Sequence, residues 1–187
     1  MNNLIFFDVE TNGFVGSSVL SISAIKTIMI NNNKLRIIDK YNRYYYRNPK
    51  ELLNEKAIEV NKLTDSRIKD LRENKDYPLY FQDDSESFKN FCDNSVCYIA
   101  HNISFDKQFI PFLNDSHNYF CTMKQNRFIY NKWPKLSDTA KYYNIEVKED
   151  ILHDSSYDTL LCFKVFNEMF TNSKNNFIES IKYLLKN

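Results

Sequence analysis

Apolar and polar positions along the chain divide it into a β-rich first quarter and a mixed remainder. Leu4-Ile5-Phe6-Phe7 is a short apolar run that ends in Asp8-Val9-Glu10 and reads as a first strand. Val19–Ile30 (VLSISAIKTIMI) is apolar, β-branched and roughly alternating, which predicts a second strand. Asn31-Asn32-Asn33 is a turn signal, and Leu35–Tyr46 a third strand, so the chain opens as a β-meander. The period then changes. Thr64 is placed to cap a helix over Asp65–Arg72, with Leu63 and Ile68 as a hydrophobic staple, and Ser85–Cys92 offers a further short helix. Val96–Ala100 reads as a buried fourth strand. After the turn His101-Asn102, the residues Phe105, Phe109, Phe112 and Leu113 recur at helical spacing. Phe120–Met123 predicts a short fifth strand, and Leu136, Ala140 and Tyr143 mark one face of another helix. Ser155–Phe170 carries the clearest helical stripe, Leu161, Val165 and Met169, and Asn176–Leu185 is weakly amphipathic. A meander followed by alternating helices and strands predicts an α/β fold with a mixed sheet.

Composition narrows the function classes. The 187 residues fit one domain with a substantial core. Basic and acidic residues nearly balance, 25 against 24, so no general basic coat for nucleic acid exists, although a local basic groove can. Gly13 and Gly16 are the only glycines, which excludes a P-loop or a Gly-rich dinucleotide fingerprint. Cys92, Cys97, Cys121 and Cys162 form no CxxC pair and sit among apolar neighbours, as reduced buried thiols do. With no leader pattern and no membrane-length apolar stretch, the expectation is a soluble, cytoplasmic protein without membrane partners.

The chemistry begins at Asp8 and Glu10. On a strand their side chains leave the same face, about 7 Å apart along the backbone. Two carboxylates at the end of a buried strand repel and are costly to desolvate, which a divalent cation would relieve; a polar strand end is the simpler alternative. Asp106 lies one turn into the segment after the fourth strand, Asp158 lies in the first turn of the long helix, and His153 lies just upstream of it. Each has an ordinary explanation: Asp106 suits a helix start, and Ser155-x-x-Asp158 has the form of a capping box. In an open sheet, however, these ends can converge on one edge, where four carboxylates and an imidazole would hold two divalent cations and a general base.

Three segments in this order, Asp8-Val9-Glu10-Thr11, His101-Asn102-Ile103-Ser104-Phe105-Asp106 and His153-Asp154-Ser155-Ser156-Tyr157-Asp158, resemble the three motifs of the DEDDh, or DnaQ-like, 3′–5′ exonucleases, the family of the proofreading epsilon subunit of bacterial DNA polymerase III. The stretches Phe120–Lys124 and Pro134–Ser137 resemble family sequence between motifs two and three, and the likeness covers about residues 1–170 of a single exonuclease domain with a short helical tail over 171–187. The resemblance implies a ribonuclease H-like fold, a five-stranded mixed sheet flanked by helices. It implies that Asp8, Glu10, Asp106 and Asp158 hold two Mg²⁺ or Mn²⁺ ions, Asp8 touching both, and that His153 takes the proton from the attacking water. Thr11, Phe14, Asn102 and Phe105 would meet the substrate, a single-stranded or frayed nucleic-acid 3′ end, DNA in the first instance. An RNA-preferring enzyme and a non-catalytic nucleic-acid-binding or polymerase-partner module are the alternatives.

Asn12 stands where the family usually has a second Thr, and Asn61-Lys62 where His-Gly is common, so contacts at the substrate pocket are where this chain departs. No clamp-binding or polymerase-tethering motif follows Phe170. Lys124, Arg127, Lys132 and Lys135, interleaved with Tyr130 and Trp133, would track phosphates or form a solvated face. His101 and His117 are expected to be structural.

Overall fold

A computed structural model describes residues 1–30, 34–172 and 176–186. Five strands, β1 (Asn3–Thr11), β2 (Val19–Ile30), β3 (Lys34–Tyr44), β4 (Ser95–Ala100) and β5 (Tyr119–Cys121), form one sheet in the order β3-β2-β1-β4-β5. The β1–β2 and β2–β3 pairs are antiparallel, and β1–β4 and β4–β5 are parallel. This is the mixed sheet of an α/β, ribonuclease H-like fold. The expected turn at Asn31-Asn32-Asn33 lies outside the described residues.

Helices cover both faces: α1 (Glu55–Asn61), α2 (Asp65–Leu71), α3 (Phe81–Phe91), α4 (Ile103–Asp106), α5 (Thr122–Gln125), α6 (Leu136–Tyr142), α7 (Ser155–Asn172) and α8 (Asn176–Lys186). The alternation along β1 decides what each face buries. Ile5, Phe7 and Val9 join Phe88 of α3 and Phe109 in one core, while Leu4 and Phe6 join Leu161, Cys162, Val165, Phe166 and Phe170 of α7 in the other. Phe6 meets Phe163 and Phe166 edge-on, with ring centroids 5.3 and 5.2 Å apart. Leu4, Phe6, Asp8 and Glu10 share a face by the period of the strand. The two acids therefore continue the row that packs on α7, and they reach it at its N-terminal end.

A seam of small polar residues allows that end of α7 to sit close on β2. The Ser155 hydroxyl lies 2.9 Å from that of Ser21 and 2.8 Å from that of Ser23, and Thr159 donates to the Ser23 carbonyl at 3.1 Å. Ser21 and Ser23 are the β2 partners of Glu10 and Asp8 in the strand register. The seam thus sets Asp158 beside the strand-end acids.

Several expectations need correcting. The helix read from Phe105 to Leu113 is one turn, α4, followed by a 3₁₀ turn over Lys107–Phe109. Pro111 has no N–H to donate and biases Ile110 toward extended backbone, where it lies at φ −106° and ψ 105°. The aromatic spacing still places Phe105, Phe109 and Phe112 against one core. Helix α1, capped by Asn54, was not expected at all. Helix α3 starts at Phe81 rather than Ser85, β3 ends at Tyr44 rather than Tyr46, and β5 stops at Cys121 because Thr122 and Met123 enter α5. The capping of α7 also differs from the expected form. Asp154, not Ser155, accepts the N–H groups of Ser156 and Tyr157, at 3.0 and 3.1 Å. The staple of Leu63 and Ile68 forms as expected, with Thr64 accepting the Arg67 N–H at 3.1 Å.

Candidate active site

The C-terminal end of β1 projects past its parallel neighbour, since pairing with β4 stops at Phe6 opposite Ile99. A register irregularity at Glu10–Thr11 then turns the strand end. Beside it opens a cleft of about 850 Å³, lined by β1, the end of β4 with α4, α1, the segment 133–137 and the start of α7. All nine residues singled out in the sequence, Asp8, Glu10, Thr11, Phe14, Asn102, Phe105, Asp106, His153 and Asp158, line this one cleft.

The carboxylates crowd. Ligand atoms of Glu10, His153 and Asp158 lie within 4.8 Å of one another. Asp8 Oδ2 and Asp158 Oδ1 are buried with no hydrogen-bond partner among the described residues. Burial raises the Asp8 carboxyl well above its ordinary range, and the charges of Asp106, Glu10 and Asp158 raise it further. Glu10 is raised in the same way by burial and then by Asp158 and Asp106, against a hydrogen bond from Asn61. Burial pushes Asp106 up to about 7 and Asp158 to about 6, although backbone N–H groups of Val9 and His153 oppose the shift. Four carboxylates that cannot all ionise comfortably, two of them carrying orphaned buried oxygens, fit a hard divalent cation.

His153 sits on the loop before α7 at φ 65°, left-handed backbone that is strained for a residue with a Cβ. Its ring is exposed and makes no hydrogen bond among the described residues, so the imidazole faces the cleft free. His101 behaves oppositely. Its Nε2 lies 2.9 Å from the Pro134 carbonyl, which can only accept, so Nε2 carries the proton and Nδ1 accepts from the Thr122 hydroxyl at 2.9 Å. Burial lowers its pKa, and it braces the wall at Pro134.

The expected substrate residues differ in character. Phe14 is 85% exposed at the lip. Phe105 is half-buried, its ring centroid 5.0 Å from that of Phe109 in the core, and its remaining surface lines the cleft. Thr11 is buried and donates its hydroxyl to the Gly13 carbonyl at 2.6 Å. Asn12 faces away, its amide bonded to Glu51 (2.6 Å) and the Leu52 carbonyl (2.8 Å), so this departure from the family pattern ties down a loop rather than altering the pocket. Asn61 does line the cleft. It donates to the Thr11 carbonyl at 3.1 Å and accepts the Leu63 N–H at 3.0 Å, as well as bonding Glu10. Pro134, in a stretch that resembles family sequence, also lines the wall, and Val60 and Leu152 complete it without having been signalled by sequence, because α1 and the loop before α7 were unpredicted. Lys135 and Trp133 of the basic stretch reach the cleft; Lys124, Arg127, Tyr130 and Lys132 do not line it.

This arrangement is that of a DEDD-type exonuclease. The sequence profile of the exonuclease family (RNase_T) matches residues 5–166, and the chain belongs to that family. It is thereby a 3′–5′ exonuclease, a phosphodiester hydrolase working from a nucleic-acid end. No curated protein matches the chain in sequence at a significant level. Among solved structures it is similar to exonuclease X in complex with 5′-overhanging duplex DNA, at 19% identity and a TM-score of 0.68, over 97% of this chain and 99% of that one. It is also similar to the zinc-bound form of E. coli exonuclease I with single-stranded DNA, at 15% identity and a TM-score of 0.74, over 97% of this chain but 43% of that one. Cell-death related nuclease 4 gives 13% identity and a TM-score of 0.65, over 92% and 65%. At these identities the likeness is one of fold. No described helix is long and apolar enough to cross a membrane.

Proposed function

We propose that the chain is one exonuclease domain of the DEDDh kind, which shortens single-stranded or frayed DNA from the 3′ end and releases nucleoside 5′-monophosphates. The observation that carries this reading is the convergence of Asp8, Glu10, Asp106, Asp158 and His153 on one cleft, with buried oxygens of Asp8 and Asp158 unpartnered among the described residues. Asp8, Glu10 and Asp158 would hold divalent cations, Mg²⁺ or Mn²⁺, with Asp106 supporting the Asp8 side. When bound, two such ions supply an acidified water and offset charge at the scissile phosphate.

The remaining work belongs to the protein. The free imidazole of His153 takes the proton from the attacking water, the task of a general base. Asn61 holds the Glu10 carboxylate and the Thr11 carbonyl in place, which fixes the strand end. Thr11 and Asn102 meet the terminal sugar, and Phe14 and Phe105 meet the terminal base. Stacking on such rings tolerates any base.

The neighbours solved with DNA support a DNA substrate for this fold. Purified protein should release mononucleotides from a labelled DNA oligomer in Mg²⁺ or Mn²⁺, and EDTA should abolish the release. An equal rate from Asp8→Ala would overturn the reading. Matched DNA and RNA oligomers in the same assay would separate the DNA enzyme from one that prefers RNA.

A further inference from the structure

Beyond the cleft, the segment between α5 and α6, together with the last residue of α6, carries an exposed aromatic surface that the core does not explain. Phe128 is 65% exposed, Trp133 52%, Tyr142 51% and Tyr130 47%. From Lys124 to Ser137 the chain holds four cations and no acid. The cations lie on the rings: the Arg127 guanidinium is 4.9 Å from the Trp133 ring centroid and the Lys132 ammonium 5.8 Å from that of Tyr130. Phe128 meets Tyr142 edge-on at 6.0 Å. Trp133 also lines the cleft, so the surface is continuous with it.

We propose that this surface is a stacking platform for the strand on the 5′ side of the scissile bond. The proposal rests on the nuclease reading above and adds the path by which the rest of the strand is held. A single strand presents alternating phosphates and open base faces. Interleaved cations and exposed rings match both elements, whereas a purely apolar partner would leave the cations unmatched. The acids of the active site repel phosphate, so a cationic, aromatic track outside the cleft gives the enzyme its hold on a strand without adding negative charge to the pocket.

The platform predicts a dependence on substrate length. A dinucleotide fills only the cleft, whereas a DNA oligomer of about twelve nucleotides spans cleft and platform. Phe128→Ala, Tyr130→Ala and Tyr142→Ala alter exposed side chains, and circular dichroism checks their fold. Each of the three should raise KM for the long oligomer by roughly fivefold to a hundredfold, as the loss of one stacked base does, with dinucleotide hydrolysis unchanged. Lys132→Ala should also flatten the salt dependence of long-oligomer binding by about 0.7 in the log–log slope. No change on the long oligomer overturns the proposal, and so does a parallel change on both substrates. Binding of the long oligomer is measured separately by anisotropy in Ca²⁺. Binding that is lost in the variants, from a wild type that never shortens the strand, would sink the nuclease reading and leave the platform standing. An oligomer that does not bind, with self-association reduced in the variants, would make the surface a protein interface and overturn it.

Discussion

Asp106 accepts the backbone N–H of Val9 through Oδ1 at 3.2 Å. The donor is free because β4 stops pairing with β1 at Phe6. One carboxylate thus caps a strand edge that would otherwise be left open and brings negative charge to Asp8 and Glu10. Both effects follow from the turn His101-Asn102 being short enough to bring α4 back over β1.

These two duties separate in Asp106→Asn. The amide oxygen can still accept from Val9, while the charge is lost. Without metal, at pH 8, the variant should melt above wild type by about 2–4 °C for each kcal/mol of relieved repulsion, and its nuclease activity should fall. Asp106→Ala removes the acceptor as well and should melt below Asp106→Asn. Thermal melts of both in EDTA decide the matter; equal melting temperatures would mean that the Val9 bond contributes nothing.

His153→Ala isolates proton transfer. The ring makes no hydrogen bond among the described residues, so its loss should leave stability nearly unchanged. The rate should fall about 10²- to 10⁴-fold, as for a general base. Stabilisation by Mn²⁺ should persist, because the proposed ligands are carboxylates. If Mn²⁺ no longer raised the melting temperature, His153 would instead be a ligand, which its closeness to Glu10 and Asp158 allows a melt to detect.

Much of this site was legible in the sequence, and for a physical reason. Asp8 and Glu10 follow an apolar strand whose period puts them on one face, and Asp158 opens a helix whose stripe packs on that face. Local period therefore encodes relative position. The strand order could not be read this way, but acids at the ends of successive elements limited it. What stayed hidden were walls made by segments with no strong period. Helix α1 carries its own cap, Asn54, yet Val60 stays exposed and the residue it buries is the polar Asn61, so it shows no buried apolar stripe. Asn61 was visible only as a departure from the family pattern. Pro111 overrode a convincing aromatic spacing after Asp106, and the contacts of Phe109 and Phe112 survived the loss of the helix. The polar seam of Ser21, Ser23 and Ser155 was hidden because serines in a strand leave no pattern until their partners are known.

That seam yields a further expectation. Ser155 is buried and bonded to two buried hydroxyls. Ser155→Ala leaves the buried Ser21 hydroxyl without its acceptor, while Ser23 keeps its bond to Asn42 at 2.8 Å, and should cost about 1–3 kcal/mol. Because Asp158 is one turn along the same helix, activity should fall as well, with KM for metal rising more than KM for oligomer. Chemical denaturation and metal titration would show it; unchanged stability would mean that the seam tolerates a missing hydroxyl.

The last expectation joins acid–base chemistry to metal binding. In the unfolded chain the four carboxyls titrate near ordinary values, about 4. In the fold Asp106 and Asp158 titrate at about 7 and about 6, and Asp8 and Glu10 are raised well above the usual range, first by burial and then by one another. The metal-free native state therefore binds more protons than the unfolded state above about pH 4. Its stability is fully present below the unfolded values and is lost as pH rises through about 6 to 7. Divalent cations bind the ionised carboxylates and oppose that loss. The rise in melting temperature given by Mn²⁺ should accordingly be several degrees larger at pH 8 than at pH 5, and the metal-free melting temperature should drop between those values. Asp106→Asn should flatten the metal-free drop, which separates the site from titration elsewhere in the chain. Equal Mn²⁺ shifts at both pH values would mean that the carboxylates of the cleft do not hold the metal.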